Sequence, residues 1–74
     1  MIITIQILSK QKIHDVTIYA AFCRMDNKHT KKPAYHWRVI TEQMFCDCFA
    51  SGYFIKDPHA TAENVLYHNS TEFF

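Results

Sequence analysis

The chain reads as an α+β domain: a small antiparallel sheet (strands about 2–8, 14–23 and 34–40) followed by two helices (about 42–51 and 58–68) packed on one of its faces. Three observations predict this. Apolar and polar side chains alternate through the first three segments, the period of a half-buried strand. The period lengthens after Thr41, where Met44, Phe45, Cys48 and Phe49 fall on one helical face. Strands grouped ahead of helices belong to an α+β layer rather than to a βαβ fold.

In the first segment Ile3, Ile5 and Ile7 stand on one side, with Thr4 and Gln6 on the other. Residues 9–12, SKQK, read as a polar connection. Residues 13–23 admit two readings. Val16, Ile18, Ala20 and Phe22 alternate with their neighbours, and their β-branched content favours a strand in a hairpin with the first. Ser9 could instead cap a helix carrying Ile13, Val16, Ala20 and Cys23. Residues 26–33, DNKHTKKP, form a polar loop, after which Tyr35, Trp37 and Val39 alternate with His36, Arg38 and Ile40 in a third strand. Thr41 is a fitting N-cap, Glu42 complements the helix dipole, and Gly52 lies where a helix end favours positive φ. Tyr53-Phe54-Ile55 is a short buried crossing or a brief strand. Asp57-Pro58 is a cap followed by proline at a first helical position, with Ala62, Val65 and Leu66 as the apolar stripe of the second helix. The terminal Phe73 and Phe74 are expected to dock on the domain or on a neighbour.

The chain has 74 residues, 49% apolar and 15% aromatic, with one glycine and two prolines. This composition suits one small domain over 1–74 and excludes disordered, collagen-like and coiled-coil architectures. A domain of this size buries only about 60% of its unfolded surface and holds a net stability of about 3–5 kcal/mol. A deep substrate pocket would remove core volume that it can ill spare, which argues against an enzyme. The N-terminus shows neither a basic n-region nor a long apolar run, and the three cysteines are an odd number. These features predict a cytoplasmic protein of a reducing compartment, without a membrane span.

Few residues suggest chemistry. Cys23, Cys46, Cys48 and five histidines could supply zinc ligands, but only one residue separates Cys46 from Cys48. Structural zinc pairs are usually two to four apart, and on a helix residues two apart diverge by about 200°. The expectation is therefore no metal and no cofactor, with Cys48 a small core residue. One glycine is too few for a phosphate-binding loop, and no catalytic motif is present. A helix-turn-helix is disfavoured by its long connection and by a second helix without Lys or Arg.

Charge is the informative feature. Residues 1–38 carry seven Lys and Arg against two Asp, a balance of +5, and residues 39–74 carry one Lys against five acids, a balance of −4. If the sheet buries Ile3, Ile5, Ile7, Val16, Ile18, Phe22, Tyr35, Trp37 and Val39, its outer face presents Thr4, Gln6, Thr17, Tyr19, His36 and Arg38, beside Lys28, Lys31 and Lys32. Polarised charge steers association, and aromatic and Arg side chains dominate interface energetics. The expected function is a small non-enzymatic protein-binding module. Its size and style resemble the phage and mobile-element inhibitors that occlude host nucleic-acid-handling or defence complexes, of the anti-CRISPR or anti-restriction kind. Tyr19, Lys28, Lys31, Lys32, His36 and Arg38 are the expected contacts with a protein partner, and a homodimer is compatible with the chain. The alternatives are a nucleic-acid-binding regulator using the basic half and a Cys/His metal-binding module. Phe49→Ala is expected to act as a core truncation costing about 3–5 kcal/mol.

Overall fold

The structure, a computed structural model, describes residues 3–70. The expectation for Phe73 and Phe74 lies outside those residues. Five strands and one helix follow in order: β1 (Ile3–Ile13), β2 (Val16–Asp26), β3 (Pro33–Ile40), α1 (Glu42–Ser51), β4 (Phe54–Lys56) and β5 (Asn64–Asn69). The strands form one antiparallel sheet in the order β3-β2-β1-β5-β4. Helix α1 lies across one side of it. The extents, 42 × 27 × 20 Å, are those of two layers. No helix among the described residues is long and apolar enough to cross a membrane.

The β1–β2 hairpin is longer than its polar middle suggests. SKQK is strand, because β1 is flanked on both sides: Lys10 pairs with Tyr19 on β2 and with Val65 on β5. The chain reverses at His14-Asp15, both at positive φ (48° and 64°) between paired Ile13 and Val16. Two successive positive-φ residues are the pattern of a type I′ turn, which matches the twist of a hairpin. The helical alternative for residues 13–23 is thereby excluded.

The second expected helix is absent. Over 58–68 the chain instead makes a turn and the strand β5. Asp57 caps a turn rather than a helix: its Oδ1 accepts from His59 N at 2.7 Å and its carbonyl from Ala60 N at 3.0 Å. Thr61 Oγ1 then accepts from Asn64 N at 3.0 Å, and Thr61 N donates to Asn64 O at 2.8 Å. Val65 and Tyr67 have high β-propensity, and the free edge of β1 gives this segment a ladder that a narrow helical stripe could not match. The same Asp-Pro signal thus serves a turn.

Helix α1 has the expected bounds and cap. Thr41 Oγ1 accepts from Met44 N at 3.1 Å. Gly52 closes the helix by donating its N–H to Cys48 O at 3.0 Å, but in extended backbone (φ −113°), not at positive φ. Glycine is needed there for space, since a Cβ would run into the Phe54 ring.

The faces of the sheet are the largest departure. A bulge at Gln6 shifts the β1 register between Ile5 and Ile7. Ile5 therefore aligns with Cys23, whereas Ile7 aligns with Phe22 on the opposite face, and Leu8 returns to the side of Ala21. The buried cluster under α1 is Leu8, Ala21, Cys23 and Phe45, with Ile5, Tyr19, Ile40, Cys48, Phe54 and Tyr67 packed around it. On β2 and β3 the helix thus lies on the face expected to be outside, whereas on β1 Ile3 and Ile5 keep the helix side as expected. Val16, Ile18, Phe22, Tyr35, Trp37 and Val39, expected inside, lie on the face away from it. The physical reason is size: Ala21 and Cys23 leave room for the Phe45 ring to approach β2, where Phe22 and Trp37 would hold a helix off.

Candidate interaction surface

Three surfaces carry the groups that could act on another molecule. The first is the open sheet face. Phe22 sits between Tyr35 and Trp37, with ring centroids 5.9 Å from Tyr35, nearly parallel, and 5.2 Å from Trp37. Trp37 is 50% exposed and Val39 80% exposed. Exposed large side chains that adjoin one another in this way make this face a candidate interaction surface. The Arg24 and His68 side chains on this face are held locally. Arg24 Nε donates to Asp26 Oδ1 at 3.1 Å, and His68 Nε2 lies 2.7 Å from Asp57 Oδ2.

The second surface is basic and runs along the β3 edge. Lys28, Lys31 and Lys32 stand on the β2–β3 loop. Asn27 shapes this loop by accepting from His29 N through Oδ1 and from Lys31 N through its carbonyl, both at 2.9 Å. His36 and Arg38 register with Cys23 and Ala21, on the helix side of the sheet, yet both are exposed because α1 packs over β1 and β2. The structure thus brings five of the six expected contact residues along one edge. Of these, Tyr19 is near only Arg38: it pairs with Ile40, two residues along β3 from Arg38 on the same face. It is half-buried, its ring centroid is 5.0 Å from that of Phe45, and Lys10 Nζ sits 5.9 Å from its centre. Along β2 it lies seven residues from Asp26, roughly 23 Å at strand rise.

The third surface is a shallow depression of about 410 Å³ between the end of α1 and the sheet, lined by Ile5, Asp47, Cys48, Gly52 and Phe54 among others. Among the described residues no histidine or cation lines it, and the ionisable neighbour that Cys48 has there is the carboxylate of Asp47. Burial, with Asp47 and Cys23 nearby, pushes the Cys48 thiol up from its ordinary value, away from a nucleophilic thiolate. Cys46 is exposed and Cys23 buried. Iodoacetamide should therefore label Cys46 first, Cys48 more slowly and Cys23 only on unfolding; mass mapping of a time course checks the order. Among the described residues no three His, Cys, Asp or Glu side chains converge as a metal site.

The Asp57–His68 contact ties the β4–β5 turn to the sheet. The His59 backbone N–H holds the Asp57 carboxyl below its usual range, and the hydrogen bond to His68 lowers it further. A carboxylate with a lowered folded value stabilises fully above the ordinary value of about 3.9, and the effect is lost as pH falls through the folded value. Asp57→Asn keeps an acceptor for His59 and removes the charge. The wild type should melt higher than this variant near neutral pH, with the gap closing below about pH 4. A Tm series for both proteins checks this, and a gap that persists in strong acid would contradict it.

The open aromatic face was missed from sequence. The signal was present in the pair of small residues at Ala21 and Cys23, opposite in phase to the bulky Phe22, Tyr35 and Trp37. Comparisons with protein-family models, with curated proteins and with solved structures returned no match.

Proposed function

We propose that this chain is a small non-enzymatic protein-binding module. In this reading it blocks its partner by occupying a surface, in the manner of phage and mobile-element inhibitors of host nucleic-acid-handling or defence complexes. The observation that supports it is the basic β3 edge. Lys28, Lys31, Lys32, His36 and Arg38 are exposed along one side of the molecule, and none of them takes part in an ion pair among the described residues. Lysine and arginine cations left free in this way suit an acidic protein surface, including one shaped to receive nucleic acid. Reversing Lys31 and Lys32 to Glu should weaken partner binding at least tenfold, about 1.4 kcal/mol or more, without lowering Tm. The measurement is affinity capture of host proteins with wild type and double variant, followed by titration of whatever is retained. Equal retention by both proteins would remove the basic edge from the interface.

A second reading draws on the exposed rings. Tyr35, Trp37 and Phe22 on an open sheet, next to a lysine loop, offer single-stranded nucleic acid a stacking platform and phosphate contacts. It requires Trp37 emission to be quenched by oligonucleotides at low salt and to recover steeply as salt rises.

A further inference from the structure

We infer that the open apolar face is covered by a second copy of this chain, the two sheets stacking face to face about 10 Å apart in a two-fold dimer. Three observations carry the inference. The first is chemical. The face presents Val16, Ile18, Phe22, Tyr35, Trp37 and Val39, and its Arg24 and His68 side chains are held by Asp26 and Asp57. On the face itself a polyanion would lack the cations that the neighbouring lysine loop carries, and an oppositely charged protein would lack a charge to meet. A second copy meets apolar surface with apolar surface.

The second observation is area. With strands about 4.8 Å apart and rising about 3.4 Å per residue, this face offers roughly 600–800 Å² of contact surface. A standard stable interface buries about 800 Å² per partner. One copy can therefore satisfy the other without further elements.

The third is the thinness of the core. Among the described residues the buried apolar side chains are Leu8, Ala21, Cys23 and Phe45, all on the helix side of the sheet. A second aromatic cluster, Phe22, Tyr35 and Trp37, lies on the other side. Stacking two sheets turns those rings into a second core. It leaves α1, the lysine loop, His36 and Arg38 on the outside of the pair, free for the partner proposed above.

The test is the mass of the full chain in solution across a concentration series up to the millimolar range, by light scattering and by native mass spectrometry. The dimer, at twice the 8.8 kDa chain mass, is expected to fill as concentration rises. In the double variant V16D/V39D the dissociation constant should rise at least about tenfold, as for charge placed in an apolar interface. Both positions are highly exposed in one copy, so the circular dichroism spectrum should be unchanged. Should that variant lose its fold, wild-type Trp37 gives the same answer, since its acrylamide quenching should fall as the dimer fills. A chain that stays monomeric throughout overturns the inference. So does a dimer that survives V16D/V39D or leaves Trp37 as open to acrylamide as before, which would point to pairing along the β3 edge. Because K31E/K32E spares this face, loss of partner binding and loss of the dimer report separately.

Discussion

Leu8→Ala should remove most of the protein's stability at 25 °C. Leu8 is the one large side chain that is 0% exposed among the described residues. It stands on the central strand, paired with Ala21 on one side and with Tyr67 on the other. Truncation removes contacts to both strands and to the helix above, and the sheet cannot close around the gap without disturbing two ladders. Buried Leu→Ala changes cost about 2–5 kcal/mol, growing with the residual cavity. A core this small supplies only about 3–5 kcal/mol in net stability. The change thus removes most of the margin. Urea denaturation monitored by circular dichroism measures it, and a shift below 1 kcal/mol would mean that Leu8 is not the keystone described here.

Phe45→Ala should be nearly as damaging, and for a different reason. Phe45 is the residue by which α1 is buried. Its ring meets Tyr19 at 5.0 Å and Tyr67 at 6.0 Å, so it bridges β2 and β5 beneath the helix. Without it a ten-residue helix has little to hold it, since isolated helices shorter than about 12–15 residues are marginal in water. The expected cost is about 3–5 kcal/mol, together with a loss of helical ellipticity. Phe49→Ala, expected from sequence to carry that cost, should now act more weakly. Phe49 is 42% exposed and rests edge-on against Tyr67 at 4.9 Å. Comparing the two variants under the same denaturant series checks the ranking.

What could be read in the sequence was local. The strands at Ile5, Phe22 and Trp37 and the capped helix after Thr41 follow from period, β-propensity and one hydroxyl. What could not be read was relational. The bulge at Gln6 throws Ile7 to the face opposite Ile5, and nothing in an unbroken alternation announces an inserted residue. Asp57-Pro58 opens a turn as readily as a helix, and only the unpaired edge of β1 decides between them. The side on which the helix lies depends on steric room at Ala21 and Cys23, while a hydrophobicity pattern weighs Trp37 and Val39 as core. Of the contact residues read from sequence, the five cationic and imidazole side chains share one edge because loop and strand are contiguous. Tyr19 stands at the Arg38 end of that edge, far from the lysines, and its ring is taken up by Phe45.

The central claim is that α1 covers the Leu8 face and leaves the Trp37 face open to another molecule. Nuclear Overhauser contacts from the Phe45 ring test it most directly. The fold described here gives contacts from that ring to Leu8, Tyr19 and Tyr67, and none to the Trp37 indole. Contacts between Phe45 and Trp37 within one chain would place the helix on the opposite side of the sheet and contradict it.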